Sequence, residues 1–123
     1  MKNFLVLKTL TTPEIAFLTN GEFMITGSSR PENPHAFYNP LLEWLEKFLK
    51  TKPEKINLVM EVEYLNSSSV KILVQLLRTI IENADKNTQV SFTWKYDHED
   101  LDSYDQGKGF EKITGFPIKI ISK

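Results

Sequence analysis

The sequence predicts a mixed α/β domain: a sheet of about five strands that opens with an antiparallel hairpin and carries its helices on one face. Three observations predict it. Ile56, Leu58, Met60, Val62 and Tyr64 point one way while Asn57, Val59, Glu61 and Glu63 point the other, the period-two pattern of a half-buried strand. Val90, Phe92, Trp94 and Tyr96 alternate with Ser91, Thr93 and Lys95 in the same way. Around these strands run two segments whose apolar residues recur at helical spacing. A sheet covered on both faces would show nearly continuous apolar strands instead, so one face is left to solvent.

In chain order, Glu14–Leu18 and Glu22–Thr26 form the hairpin, because Asn20-Gly21 between them accepts the positive φ of a tight turn. Asn39 caps a first helix with Pro40 as its first residue. Leu41, Trp44, Leu45, Phe48 and Leu49 make its stripe opposite Glu43, Glu46, Lys47 and Lys50, and Pro53 closes it. The strand from Ile56 follows. A second helix runs from about Ser67 to Ala84, apolar at 70, 73, 74, 77, 80, 81 and 84, with Lys71, Gln75, Arg78 and Glu82 in solvent. After the strand at Val90, a short helix between Asp102 and Thr114 presents Tyr104, Phe110 and Ile113, although Gly107 and Gly109 each cost about 1 kcal/mol relative to Ala. Ile118–Ile121 is the last strand. Strands separated by helices imply right-handed parallel crossovers beside the antiparallel pair.

The 123 residues, 41% hydrophobic and 25% charged, suit a single domain over 1–123. There is no cysteine, which excludes disulfides and thiolate chemistry. With 15 Lys plus Arg against 16 Asp plus Glu there is no basic stripe of the kind a nucleic-acid binder needs. Lys8 interrupts the apolar run Phe4–Leu7 too early for a signal-peptide core, and no apolar run approaches the roughly 20 residues of a membrane span. The expected location is the cytoplasm, with no membrane partner.

Catalytic motifs are weak. Ser68-Ser69-Val70-Lys71 satisfies Ser-x-x-Lys, but its companion motifs are missing, and helix-start serines explain it. No phosphate-cradling glycine loop occurs. His35 and His98 stand far apart in sequence, and the acidic run Asp97, Glu99, Asp100, Asp102, Asp105 lacks the glycine of a calcium loop, so neither metal nor cofactor is expected. The most informative stretch is Tyr64-Leu65-Asn66-Ser67-Ser68-Ser69-Val70-Lys71. One polar side chain suffices to cap a helix. A neighbouring hydroxyl then stands at the positive end of the helix dipole, where added phosphate is tolerated, with Lys71 one turn on.

These residues bear a likeness. The chain resembles the SiaC family of bacterial regulatory phosphoproteins, small domains akin to the anti-sigma-factor antagonists and their STAS fold. The resemblance rests on Gly27-Ser28-Ser29-Arg30-Pro31-Glu32-Asn33, Phe37-Tyr38-Asn39-Pro40 with Trp44-Leu45, and Tyr64-Leu65-Asn66-Ser67-Ser68-Ser69 with Lys71. It continues through Trp94-Lys95-Tyr96-Asp97, Gly107 and Phe110 to Phe116-Pro117. It implies a non-enzymatic switch: the hydroxyl after Asn66, here Ser67, is phosphorylated by a serine/threonine kinase and restored by a PP2C-type phosphatase. The family usually has threonine there, so this chain keeps the hydroxyl and loses a methyl. Gly109 departs from an expected acidic helix former. The resemblance also implies that the unphosphorylated form binds and activates a diguanylate cyclase, within cyclic-di-GMP signalling and biofilm regulation.

Two hypotheses follow for the site. In the first, Ser67 is the phosphoacceptor, and Leu65, Asn66, Ser68, Ser69 and Lys71 form the partner surface. In the rival, the chain is a small-molecule or nucleotide-binding module whose loop Arg30, Pro31, Glu32 and Asn33 lines the site, Arg30 pairing with a phosphate. Saturable nucleotide binding by calorimetry separates them.

Overall fold

Asn20-Gly21 turns the hairpin as its residues require. Gly21 takes φ +91°, and a Cβ there would lie 2.0 Å from the Lys55 carbonyl oxygen, so no other residue fits. The computed structural model describes residues 1–123 and places six strands in one sheet, in the order of the chain. β1 (Phe4–Val6), β2 (Glu14–Phe17) and β3 (Glu22–Ser29) pair antiparallel. β4 (Lys55–Leu65), β5 (Gln89–Tyr96) and β6 (Ile118–Ser122) add in parallel. The helices α1 (Pro34–Lys50), α2 (Ser67–Asn83) and α3 (Leu101–Thr114) fill the three crossovers. Crossovers of one hand that step in one direction put every helix on the same face. The one-sided core follows, with Phe17, Ile25, Leu45, Met60, Leu73 and Trp94 sealed in it.

Four expectations need correction. The sheet has six strands, not about five: β1 is too short to alternate visibly, and it is held by Phe4 against Trp44 and by the Trp44 indole N–H donating to the Lys2 carbonyl at 2.8 Å. α1 begins at Pro34, not Pro40. Asn33 caps it, its side chain accepting from the Ala36 N–H at 3.1 Å, and Pro40 lies inside the helix on a side exposed to solvent, so the Ala36 carbonyl that loses its helical bond is not buried. In β4, Ile56, Leu58, Met60 and Val62 are buried as expected, but Tyr64 is 53% exposed and Leu65 is buried. Gly27 pairs with Val62 and Ser28 with Tyr64, so Glu63 is an extra residue, and this bulge flips the strand's parity. In α3, Phe110 packs inward, whereas Tyr104 and Ile113 are exposed. Their place is taken by Gly107, which lies against Trp94.

Candidate functional site

The parallel strands end together, so the first turns of all three helices meet along one rim of the sheet. α2 enters that rim at its centre, because β4 lies between β3 and β5. Its first turn is capped by Asn66, whose side-chain oxygen accepts the Ser69 N–H at 2.9 Å while its backbone oxygen accepts the Val70 N–H at 3.0 Å. With the capping done by Asn66, Ser67 and Ser68 occupy the first two helical positions and are exposed. Lys71, one turn beyond Ser67, is exposed too. Ser67 lies about three turns before Arg78, on the same flank of α2. Arg78 donates to the Ile113 carbonyl of α3 at 3.1 Å, so that flank looks toward α3. The start of α3 presents two apolar side chains at the rim, Leu101 (68% exposed) and Tyr104.

The third serine behaves differently. Ser69 is fully buried, its Oγ 2.8 Å from Ser29 Oγ, which in turn hydrogen-bonds the Tyr38 hydroxyl from α1. All three hydroxyls are sealed from solvent. Burial pushes the Tyr38 phenol above its ordinary range, and its hydrogen bonds to Ser29 and Ser69 oppose that shift. Ser29 also holds the rim through its backbone, its carbonyl accepting the Asn66 N–H at 3.0 Å.

The sequence-predicted residues therefore divide. Ser67, Ser68 and Lys71 are brought together at the rim, with Asn66 half-buried beneath them. Leu65 and Ser69 are not available to a partner: the bulge turns Leu65 into the core, and Ser69 lies on the core-facing stripe with Leu73, Leu76 and Ile80. Ser69 could have been placed by that spacing. Ser29 and Tyr38 were missed as site residues, since nothing in a linear pattern announces a hydroxyl contact between positions so far apart. The rival loop is also corrected, because Asn33 spends its side-chain oxygen on capping α1 and Pro31 is buried. Arg30 and Glu32 remain exposed, and Arg30 is anchored by its N–H to the Thr11 carbonyl at 2.8 Å. The acidic loop has local work: Asp100 caps α3 through the Ser103 N–H, and Asp97 accepts the Glu99 N–H. No helix is long and apolar enough to cross a membrane.

Comparison with known proteins agrees with this fold. An uncharacterized protein of Pseudomonas aeruginosa strain UCBPP-PA14 is 28% identical over 100 residues, spanning 81% of this chain and 79% of that protein. The crystal structure of apo-SiaC from Pseudomonas aeruginosa superposes with a TM-score of 0.91 at 27% identity, covering 99% of this chain and all of that one. A third similar structure is that of the diguanylate cyclase SiaD in complex with its activator SiaC, also from Pseudomonas aeruginosa. There the TM-score is 0.90 at 26% identity, over 98% of this chain and 99% of the matched one. The family model for the SiaC family regulatory phosphoprotein matches residues 6–123. With a one-sided sheet, a rim carrying a free helix-start hydroxyl, and a family match over nearly its whole length, the chain belongs to the SiaC family of regulatory phosphoproteins, signalling proteins rather than enzymes.

Proposed function

We propose that this chain is a switch in which Ser67 accepts phosphate from a serine/threonine kinase and a PP2C-type phosphatase removes it. The unphosphorylated form binds and activates a diguanylate cyclase, which ties the protein to cyclic-di-GMP signalling and biofilm regulation. The observation that carries the reading is the division of labour in one turn: Asn66 caps the helix and Ser69 is buried, which leaves Ser67 and Ser68 exposed at the helix mouth, and Ser67 is the one that follows Asn66 directly, as the family resemblance implies. A similar complex adds support, since a SiaC protein of nearly identical fold is the activator of the diguanylate cyclase SiaD.

The physical basis of the switch is desolvation. Phosphate adds roughly −1.5 to −2 charges, and the helix N-terminus offsets only about 0.3–1 kcal/mol of an added charge's cost. A partner that covers the rim must strip that dianion of water. Burying it without a basic counterpart costs several kcal/mol, more than the roughly 1–3 kcal/mol coupling of a typical regulatory switch. Asn66, Ser68 and Lys71 form the partner surface together with Leu101 and Tyr104, which the start of α3 exposes on the same rim.

Incubation with the kinase and ATP, read by intact mass, adds one phosphate to the natural protein and none to a Ser67→Ala variant. The phosphorylated protein no longer binds the cyclase in a pull-down, while Ser67→Ala binds it regardless of ATP. A Ser67→Ala protein that takes up phosphate at full yield overturns the assignment.

A further inference from the structure

Three buried hydroxyls are more than α2 needs to begin. Its cap is complete with Asn66, and the helical phase that turns position 69 inward asks only for a small side chain there, not for a hydroxyl. Ser69 instead reaches into the core and joins Ser29 at the end of β3 and Tyr38 in α1, all three with no solvent exposure. Ser29 grips the α2 turn twice, by its carbonyl on the Asn66 N–H at 3.0 Å and by its Oγ on Ser69 at 2.8 Å. The next residues, Arg30–Asn33, lead directly to the cap of α1. A buried hydroxyl cannot exchange its partner for water, so the three move together or not at all.

We propose that the chain Ser69–Ser29–Tyr38 couples the phosphoacceptor turn to α1, so that the state of Ser67 is displayed on the Arg30–Asn33 loop, where Arg30, Glu32 and Asn33 are exposed, as well as at Ser67 itself. This rests on the phospho-switch described above and adds a second reporting surface to it. The coupling starts from competition for one donor. A phosphate on Ser67 lies within reach of the N–H groups of its own turn, and the Ser69 N–H now serves the neutral side-chain oxygen of Asn66. A dianion is the stronger acceptor. Drawing the Ser69 N–H toward it rotates Ser69, whose Oγ pulls on Ser29 and through it on Tyr38. The effect reaches the loop from both ends, because Ser29 precedes it and α1 follows it.

The test installs phosphoserine at position 67 during translation, so it needs no kinase and its outcome is independent of whether a kinase chooses Ser67. Backbone and tyrosine-ring NMR shifts are compared between the phosphorylated and unmodified proteins in three backgrounds: natural, Tyr38→Phe and Ser69→Ala. In the natural background the Tyr38 ring and the amides of the non-proline residues among 30–37 shift. In both variants the amides of Ser68 and Val70 still shift, whereas those of residues 30–37 lose more than half of their response. Tyr38→Phe keeps the ring volume, so at least one variant retains the fold, and dispersed spectra confirm it. Residues 30–37 that stay unmoved in the natural background overturn the coupling. So does a response that is equal in all three backgrounds, which would mark simple through-space electrostatics.

Discussion

Gly107 and Gly109 sit two residues apart in α3, and replacing each by alanine moves stability in opposite directions. Both gain the same local benefit, because alanine is about 1 kcal/mol better than glycine in a helix interior. The surroundings differ. A Cβ on Gly109 has nothing within 4 Å, so Gly109→Ala stabilises by about 0.5–1 kcal/mol. A Cβ on Gly107 would stand 2.6 Å from Trp94 Cδ1, 2.8 Å from Cγ and 3.0 Å from Nε1. Trp94 cannot give way, for it is fully buried, packs on Phe110 at 5.4 Å between ring centres, and donates its indole N–H to the Ser103 carbonyl at 2.9 Å. Overpacking of this kind costs about 1–3 kcal/mol. The helix benefit cancels between the two variants, so their difference measures the clash alone. At roughly 3–5 °C per kcal/mol for a domain of this size, Gly107→Ala melts about 3–15 °C below Gly109→Ala. Scanning calorimetry at one pH and one scan rate reads the difference. Equal melting temperatures would refute the claim that α3 is seated on Trp94 through the missing side chain. That seat fixes where α3 presents Leu101 and Tyr104 at the rim.

Two further perturbations probe the rim from beneath. The folded Tyr38 phenol holds its proton to a higher pH than the ordinary value of 10.0, chiefly through burial. Its contribution to stability is complete below pH 10 and falls as pH rises from there through the folded value, since the unfolded phenol ionises first. Urea titrations across the alkaline range therefore show a steeper loss for the natural protein than for Tyr38→Phe, and parallel curves would contradict it. Asn66→Ala removes the cap of α2 at a cost of about 0.5–2 kcal/mol. Hydrogen exchange at Ser69 and Val70 accelerates accordingly, and unchanged exchange there would show that the cap does not hold the turn.

The fold was largely legible because its periodicities are clean. Alternation in β4 and β5 and the stripes of α1 and α2 need no long-range knowledge, and the bias to one face followed from the wet residues of the strands. What escaped was set by contacts distant in sequence. Three residues of β1 carry no period of their own and owe their place to Trp44. The start of α1 was misplaced because Asn33-Pro34 and Asn39-Pro40 carry the same opening signature, and only the packed structure shows that the second proline is tolerated within the helix. The cap at Asn66 and the exposure of Ser67 were legible, because capping chemistry is local. The buried half of the site, Ser29 and Tyr38, joins residues 40 and 31 positions away from Ser69, beyond the reach of any local pattern.

The bulge at Glu63 links those two halves. Without the extra residue, the alternation of β4 would carry Tyr64 to the core side and Leu65 to the solvent side, and the turn into α2 would start half a strand period out of phase. The Asn66 cap is local and would turn with the helix, but Ser69 would lose its line to Ser29. The register shift falls where β3 holds Gly27 at φ +113°, a conformation that glycine adopts without strain and that lets the chain pass close to Lys8 and Pro13. A single irregularity in the sheet thus sets which serine of the three is buried, Ser69, and leaves Ser67 and Ser68 exposed at the centre of the rim.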